Sequence, residues 1–562
     1  MSKFVIYQVL PRLFGNFNST NKNKGTKEEN GCGKFNSFTV KALSEIKSLG
    51  VTHVWYTGII EHATQTDYSA YGIANDFPSI VKGIAGSGYA IKDYYDVDPD
   101  LAENVENRMT EFEELVTRTH KANLKVIIDF VPNHVARQYH SDAKPKGVVD
   151  LGENDHTNWA FSPLNNFYYL PDQAFNPRFN VQGYKEFPAK VTGNDHFTAS
   201  PSQNDWYETV KLNYGVNYTE GLQKQFDPIP DTWFKMRDIL LFWASKNIDG
   251  FRCDMAEMVP VEFWGWAVSQ VKAQYPEIIF IAEVYHPTEY RNYICNGKFD
   301  YLYDKVGMYE MLRNVTSRNF PVREITNTWQ SLGGIENQML NFLENHDEQR
   351  IGSGFFSGNG MYAQPAMIVA ATLTKAPVMI YSGQELGEQG MDSEGFSGLD
   401  GRTSIFDYWG VKSIQDWANE GKFDGAKLLP EQKELRAFYQ KLLNITLNEK
   451  AITQGLMYDL EFANFDNPKF NTHEQYAYFR KYNEELLLFV MNFDDKFLDT
   501  EVKFPFEVFQ YLKLKEGQNY KVTNLLDKNE KYPLLTLSSQ SSFISYMPPW
   551  KGLILKLTRV FI

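Results

Sequence analysis

The chain has 562 residues, with 56 Lys and Arg against 70 Asp and Glu and a formal net charge of −14 at pH 7. Because no long basic run interrupts this acidic balance, nucleic acid and anionic membrane are excluded as expected partners. No segment approaches about 18 consecutive apolar residues and no export signal follows the start, so we expect a soluble, cytoplasmic protein without a membrane span.

Cysteine usage excludes a disulfide scaffold. The three cysteines, Cys32, Cys253 and Cys295, are far apart and odd in number, and none falls at a spacing typical of metal ligands. The aromatic share of 15% is high and suits either a large core or the binding of sugar rings.

Short apolar runs alternate with longer amphipathic stretches up to about residue 445. The predicted strands are FVIYQVL (4–10), THVWYTG (52–58), LKVIIDFV (124–131), IDGFRCDM (248–255), EIIFIAEV (277–284), FDYLYD (299–304), QMLNFLEN (338–345) and APVMIYSG (376–383). Helical patterns lie between them, as in VKALSEIKSLG, MTEFEELVTRTHKANL and PDTWFKMRDILLFWASKN. Repeated strand–helix units predict an α/β fold with a parallel sheet, and eight strands are the number that closes a (β/α)8 TIM barrel.

Two segments depart from this alternation. Residues 135–225 are rich in Asn, Gly, Pro and aromatics and are too long for an ordinary loop, which predicts a subdomain inserted after strand 3. After residue 445, alternating runs such as YAYFRKY and ELLLFVMNF, ending in LILKLTRVFI, predict a C-terminal antiparallel β-sandwich domain. The predicted division is a barrel over 1–134 and 226–444, an insertion over 135–225 and a β domain over 445–562.

Polar residues lie at or just after the carboxyl ends of four of the predicted strands. In barrels of this kind the carboxyl ends of the strands carry the active site. Within IDGFRCDM, Arg252 and Asp254 share one strand face, which taken alone fits a structural ion pair as well as a site. Convergence of four strands is harder to explain by packing. The candidate residues are Asp129, Asn133, His134, Arg252, Asp254, Glu283, His346 and Asp347.

These stretches together resemble the four ordered motifs of the α-amylase superfamily (glycoside hydrolase family 13). DFVPNH resembles the first motif, GFRCDMAEM the second, FIAEVY the third and FLENHDE the fourth. GYAIKDYYDVDP (88–99) resembles the tyrosine region that stacks on substrate, and KLNYG (211–215) resembles a short motif near the end of the inserted domain. The resemblance extends over almost the whole chain.

The resemblance implies roles for three carboxyl groups. Asp254 would be the nucleophile and Glu283 the general acid and then base, as retention at an anomeric carbon requires. Asp347 would bind sugar hydroxyls and favour the oxocarbenium-like transition state. Arg252 would keep Asp254 ionised and oriented.

The resemblance also implies substrate-binding residues. His134 and His346 would donate hydrogen bonds to the sugar at the cleavage point, Tyr89 would stack beneath it, and Asp129 would support Arg252. Taken singly, each of these has a structural alternative. A zinc site at His134 and His140 lacks a third ligand at suitable spacing.

The family chemistry requires no cofactor, and a structural calcium ion near Asn133 is the metal that the resemblance leaves open. The Lys-His pair of many α-amylases is replaced by Glu257 and Met258. The stretch NSTNKNKGTKEENGCG (18–33) has few of the acidic ligands found in an early calcium loop of some relatives.

The prediction is an α-amylase-type hydrolase that cleaves α-1,4 bonds of starch or maltooligosaccharides by a retaining mechanism. The first alternative is an α-glucan transferase or trehalose-forming isomerase that uses the same covalent intermediate. An alternative of another class is a catalytically inactive barrel that binds glycan or a partner protein. The presence of all three carboxylates disfavours the inactive barrel.

Overall fold

Eight parallel strands close into a barrel in a computed structural model that describes residues 3–560. The strands are β1 Val5–Val9, β2 His53–Tyr56, β3 Lys125–Phe130, β4 Gly250–Cys253, β5 Ile279–Ala282, β6 Tyr301–Tyr303, β7 Met339–Phe342 and β8 Val378–Tyr381. Each strand pairs with its neighbours in sequence, and β8 returns to pair with β1. The eight predicted strands and the (β/α)8 class are confirmed, and each observed strand is shorter than its predicted run.

Helices cover the outside of the barrel. They are Val40–Ser48, Arg108–Lys121, Asp231–Ala244, Val261–Gln274, Tyr290–Cys295, Glu310–Thr316, Glu324–Ser331, Gln364–Thr372, Lys412–Ala418 and Pro430–Asn448. In β1, Val5, Tyr7 and Val9 pack outward in one core with helix residues, whereas Ile6 belongs to the core inside the barrel. This alternation arises because successive strand residues point to opposite faces.

The segment between β3 and helix Asp231–Ala244 carries three small antiparallel ladders. The paired strands are His134–Ala136 with Thr209–Lys211, Tyr169–Leu170 with Ala189–Lys190, and Val216–Asn217 with Gln223–Lys224. The first ladder places Lys211 directly opposite His134, which ties the insertion to the rim of the barrel.

The C-terminal part is an antiparallel β-sandwich, as predicted. One sheet has six strands, Leu456–Asp459, Gln475–Tyr482, Glu485–Asn492, Lys551–Val560, Gln518–Asn524 and Leu535–Leu537, and the second pairs Leu498–Lys503 with Ser542–Met547. Short helices accompany them at Lys450–Thr453, Glu461–Asn464 and Phe506–Tyr511. A separate core with side chains from both sheets fills the space between them, for example Phe479 and Leu488 with Val502 and Phe543.

The exact division of the chain at residues 134, 225 and 444 stays a prediction. The predicted bounds also include residues 1, 2, 561 and 562, which lie outside the described part of the chain. Among residues 3–560, no helix has the length and apolar character needed to cross a membrane. The predicted cytoplasmic location stays a prediction.

A buried arginine joins the sandwich to the barrel. Arg480 lies on Gln475–Tyr482, is 2% exposed, and donates hydrogen bonds to four carbonyl oxygens. The acceptors are Leu373 at 2.8 Å, Ala451 at 2.9 Å, Ile452 at 2.5 Å and Gly455 at 3.3 Å. Because burial disfavours the charged form, the pKa of Arg480 is lowered to about 10, and the carbonyl dipoles offset that cost.

We expect Arg480→Met to lower the free energy of unfolding by about 3 kcal/mol, since each buried carbonyl left without a donor costs roughly 1–3 kcal/mol. Urea denaturation measures the loss. Lys481→Met, on the next residue of the same strand, is the matched control and should stay within about 0.5 kcal/mol of the wild type. Equal stability of the two variants would contradict this account of Arg480.

Candidate active site

Strand alternation turns one arginine and one aspartate into the barrel. In β4, Phe251 and Cys253 pack outward, so Arg252 between them faces the interior. In β3, Ile127 belongs to the inner core, and Asp129, two residues further on, shares its face. The two strands pair with Arg252 opposite Asp129. The rim therefore receives a cation and an anion from neighbouring strands.

The Arg252 guanidinium contacts three carboxyl groups. Nη1 lies 2.6 Å from Asp254 Oδ1 and 3.3 Å from Asp129 Oδ1, and Nη2 lies 2.8 Å from Glu283 Oε2. Arg252 is 1% exposed. A buried charge is costly unless it is paired or hydrogen-bonded, so this cation and its carboxylates are interdependent.

Aromatic rings enclose the same guanidinium. Its central carbon lies 5.3 Å from the ring centroid of Trp55, 5.5 Å from that of Tyr89 and 5.4 Å from that of Tyr303. Arg252 Nε donates to the Tyr303 hydroxyl at 3.2 Å, and Trp55 Nε1 donates to Asp129 Oδ2 at 2.9 Å. The rings limit water access and add cation–π attraction.

The Glu283 carboxyl is held by two donors besides Arg252. The backbone N–H of Met255 donates to Oε2 at 2.8 Å, and the Tyr285 hydroxyl donates to Oε1. Met255 has φ 41°, in the left-handed region, and this turn aims its N–H at the carboxyl. The pKa of Glu283 is raised by burial, and Arg252 opposes that rise.

Asp254 follows β4 directly, and its backbone N–H donates to Phe130 O at 2.9 Å. Burial raises the pKa of Asp254, while the ion pair with Arg252 and a hydrogen bond with Glu283 lower it. Burial raises the pKa of Asp129 to about 7 against the same opposing cation.

Asp347 and His346 follow β7 on the next part of the rim. His346 Nε2 lies 3.1 Å from Asp347 Oδ2, its Nδ1 contacts the Gln8 amide at 2.7 Å, and its ring stacks on Tyr89 with centroids 5.0 Å apart. Burial and the like charge of Arg252 lower the pKa of His346. Burial is the largest cause that raises the pKa of Asp347 to about 8, and the negative charge of Glu283 is the second. Because 42% of the Asp347 side chain is exposed to the cleft, water there reduces this shift.

His134 begins the first ladder of the insertion and is 3% exposed. Its ring lies 5.2 Å from that of Trp206, and burial, followed by the charge of Lys211, lowers its pKa to about 3. His134 is therefore neutral at physiological pH and suited to hydrogen bonding with uncharged hydroxyls.

A cavity of about 270 Å³ opens onto these groups. It is lined by Lys82, Ser87, Tyr89, His134, Trp206, Glu208, Thr209, Asp254, Met255, Glu283, Tyr285, Asp347, Ile405 and Phe406. The structure thus brings the three predicted carboxyl groups Asp254, Glu283 and Asp347 to one cavity, together with Tyr89 and His134. Arg252, Asp129 and His346 lie directly behind its lining.

Comparison with known proteins shows to which family the chain belongs. The family described as "Alpha amylase, catalytic domain" matches residues 8–437. The chain belongs to the α-amylase superfamily. The match confirms the resemblance predicted from the sequence. Members of this superfamily are glycoside hydrolases and transferases.

Individual relatives are distant. The chain is 24% identical over 439 residues to Alpha-amylase 3 of Dictyoglomus thermophilum, which covers 74% of this chain and 73% of that one. It is 22% identical to a cyclomaltodextrin glucanotransferase of Bacillus licheniformis, over 68% of this chain and 49% of that one. The solved structure of a "noncanonic maltogenic alpha-amylase" from Thermotoga neapolitana has a TM-score of 0.61 at 19% identity, covering 99% and 98% of the two chains. The chain thus spans between half and three quarters of the length of these curated relatives.

The surroundings of Asn133 do not fit the structural calcium ion that this α-amylase-family resemblance leaves open. Asn133 Oδ1 accepts a hydrogen bond from Lys211 Nζ at 2.7 Å, and its Nδ2 donates to Gly193 O at 2.7 Å. The same ammonium lies 2.5 Å from Asp195 Oδ1 and 5.4 Å from the ring centroid of Tyr218. Lys211 is 2% exposed, and its ammonium therefore already provides the positive charge beside the oxygen atoms that a calcium ion would need as ligands.

Other metal sites lack support in the described part of the chain. Between residues 3 and 560 no group of three or more His, Cys, Asp or Glu side chains could hold a metal ion. His140 is mostly exposed and lies 3.2 Å from Asp142, so it does not join His134.

The contacts of several site residues were not predicted from the sequence. Glu257, where many α-amylases have a lysine, accepts from the backbone N–H groups of Tyr285 and His286 at 3.0 and 3.1 Å, so it supports the segment after β5. Lys82 and Glu208 line the cavity as an ion pair, although neither belongs to a recognised motif. Lys211 is the first residue of KLNYG, so the motif was the one available signal for it, but the sequence did not show that this lysine lies beside Asn133.

We expect the melting temperature to be unchanged by EDTA or by added calcium, since Lys211 already occupies the Asn133 oxygen. Lys211→Met should lower the free energy of unfolding by about 3 kcal/mol or more, because it leaves a buried charged site unbalanced. Differential scanning calorimetry measures both effects. Lys224→Met, which removes an exposed pair with Glu262, is the control. A large stabilisation of the wild type by calcium would contradict the account.

Proposed function

We propose that the protein hydrolyses α-1,4-glucosidic bonds in starch or maltooligosaccharides and retains the anomeric configuration. The observation that carries this proposal is the placement of Asp254 and Glu283 on one buried guanidinium, with Asp347 on the same cavity. Family membership supports a glycosidic substrate, and the relatives named as α-amylase support an α-glucan.

In the first step, Glu283 gives its proton to the glycosidic oxygen while Asp254 attacks the anomeric carbon. The bond from that carbon to the leaving oxygen breaks, and a covalent ester with the Asp254 carboxylate forms. The raised pKa of Glu283 keeps its proton available, whereas the Arg252 cation favours an ionised Asp254.

In the second step, Glu283 removes a proton from water as the water oxygen attacks the same carbon. The ester bond breaks, Asp254 leaves as a carboxylate, and two inversions give net retention. Asp347 and His134 would hold hydroxyls of the sugar, and Tyr89 would lie against its ring. Hydrogen bonds that strengthen as the ring distorts contribute to lowering the barrier.

Transfer to another sugar is the second candidate because a cyclomaltodextrin glucanotransferase is among the relatives. The first step is identical, and the difference is whether water or a sugar hydroxyl accepts the glycosyl group. Nothing in the cavity lining excludes a sugar acceptor beside Tyr285, so the products must decide.

We expect the wild type to shorten maltoheptaose and soluble starch with accumulation of new reducing ends, while Asp254→Asn loses at least about 10⁴-fold in turnover. Anion-exchange chromatography with a reducing-end assay measures both. Asp238→Asn, an exposed aspartate on helix Asp231–Ala244, is the matched control with unchanged activity. Longer products without net new reducing ends would identify a transferase instead. No product from either substrate would refute an α-glucan substrate.

We expect Tyr285→Phe to move the alkaline limb of the kcat/KM profile to higher pH. The Tyr285 hydroxyl donates to Glu283 and so favours its ionised form. Removing that donor raises the pKa of Glu283, and the acid stays protonated to higher pH. The limb reports an apparent pKa of the interacting carboxyl groups, and its displacement is the quantity to measure.

The matched control is Tyr532→Phe, because the Tyr532 hydroxyl donates to Glu530 at 2.6 Å in the C-terminal domain, away from the cavity. Its profile should coincide with that of the wild type. A limb that stays in place or moves to lower pH in Tyr285→Phe would show that Tyr285 does not tune the proton donor.

A further inference from the structure

One side of the cavity is formed by Glu283, the proposed proton donor, and the residues that hold it. Glu283 is held by Met255 and Tyr285, and both line the cavity. In the proposed reaction the leaving sugar must lie beside Glu283, because that carboxyl protonates the oxygen that departs. The part of the glucan on the non-reducing side of the cleaved bond therefore extends away from these residues.

Three segments supply most of the remaining lining, and we call them the end wall. They are residues 82–87 after β2, residues 206–208 at the end of the insertion, and residues 405–406 after β8. These segments are distant in sequence, so their mutual contacts determine whether a sugar chain can pass between them.

Two segments of the end wall are joined by backbone contacts. Ala85 N donates to Phe406 O at 3.1 Å. Arg12 Nη1 donates to both Gly86 O and Ile405 O, at 3.2 and 3.0 Å, and Arg12 is 3% exposed. At Gly83 a Cβ atom would lie 2.1 Å from Phe406 O, which shows how closely the backbones approach. No sugar ring fits between segments in such contact.

An ion pair joins the segment 206–208 to the segment 82–87. Lys82 Nζ lies 3.0 Å from Glu208 Oε2, with the two side chains 10% and 7% exposed. The ammonium also lies 5.3 Å from the ring centroid of Tyr207. A buried charge pair contributes an uncertain amount to stability, and this one lies in the lining of the cavity.

The cavity is small for a ligand pocket. Its volume of about 270 Å³ lies just below the roughly 300–1,000 Å³ typical of ligand pockets.

We propose that the end wall makes the active site a pocket that accepts only the non-reducing end of an α-glucan, with Lys82 and Glu208 as specificity-determining residues. This inference rests on the proposed function. It makes the enzyme exo-acting, so that short units are released from one end. Lys82 and Glu208 both line the cavity where the hydroxyls of the terminal sugar would lie.

Two maltoheptaosides that carry p-nitrophenol at the reducing end test the proposal, one free and one capped at its non-reducing end by a 4,6-O-ethylidene group. Chromatography follows their cleavage by the full-length wild type. We expect cleavage of the free substrate and at least about tenfold slower cleavage of the capped one, because the cap cannot enter a closed pocket. Equal rates would overturn the closed end. Failure to cleave either substrate would refute the proposed function instead.

The double variant Lys82→Ala/Glu208→Ala tests the two residues. We expect its ratio of capped to free cleavage to rise at least about tenfold, since the ion pair that joins two segments of the end wall is removed. Lys92→Ala/Asp76→Ala is the matched control. It deletes a buried pair of the same 3.0 Å length that does not line the cavity, and its ratio should match the wild type.

An unchanged ratio in a folded Lys82→Ala/Glu208→Ala variant would refute the role of the pair. If that variant does not fold, Lys82→Met and Glu208→Gln replace it under the same criterion.

Discussion

The buried guanidinium of Arg252 is the interaction on which the rest of the site depends. Three carboxyl groups within 3.3 Å of one cation would repel one another and take up protons if that cation were absent. The arginine therefore affects both the positions of Asp129, Asp254 and Glu283 and their pKa values, which it lowers against the effect of burial. The barrel supports it in turn, because neighbouring parallel strands end at one rim and the rings of Trp55 and Tyr303 close around the cation.

Much of the fold and of this rim could be predicted from the sequence, for a physical reason. Apolar runs mark strands that must be buried, and parallel strands all end at the same rim. Residues at the ends of those runs or just after them, such as Asp254 and Asp347, are therefore neighbours in space although they are distant in the chain. The predicted runs were longer than the strands observed, because hydrogen bonding to both neighbours ends sooner than apolar character does. QMLNFLEN, for example, forms a strand only over Met339–Phe342.

The remainder of the site could not be predicted because it depends on contacts between irregular segments. Lys82 and Glu208 lie in stretches without periodicity, and only the folded chain shows that one neutralises the other. Arg12 follows β1 and reaches carbonyl groups after β2 and β8, which no local pattern indicates. Lys211 was visible in its motif, yet its meaning required the register that sets it opposite His134. Long-range pairing of single polar side chains leaves no repeating signature.

The ammonium of Lys211 differs from a bound ion in one respect that affects how the molecule is assembled. A side chain is covalently attached, so its local concentration at Asn133 and Asp195 does not fall on dilution or in the presence of competing ligands. Through this ammonium the insertion and the barrel are linked by side chains of one and the same chain. The joint still depends on ionic strength, because 31% of the Asp195 side chain is exposed and salt screens the exposed part of its pair with Lys211.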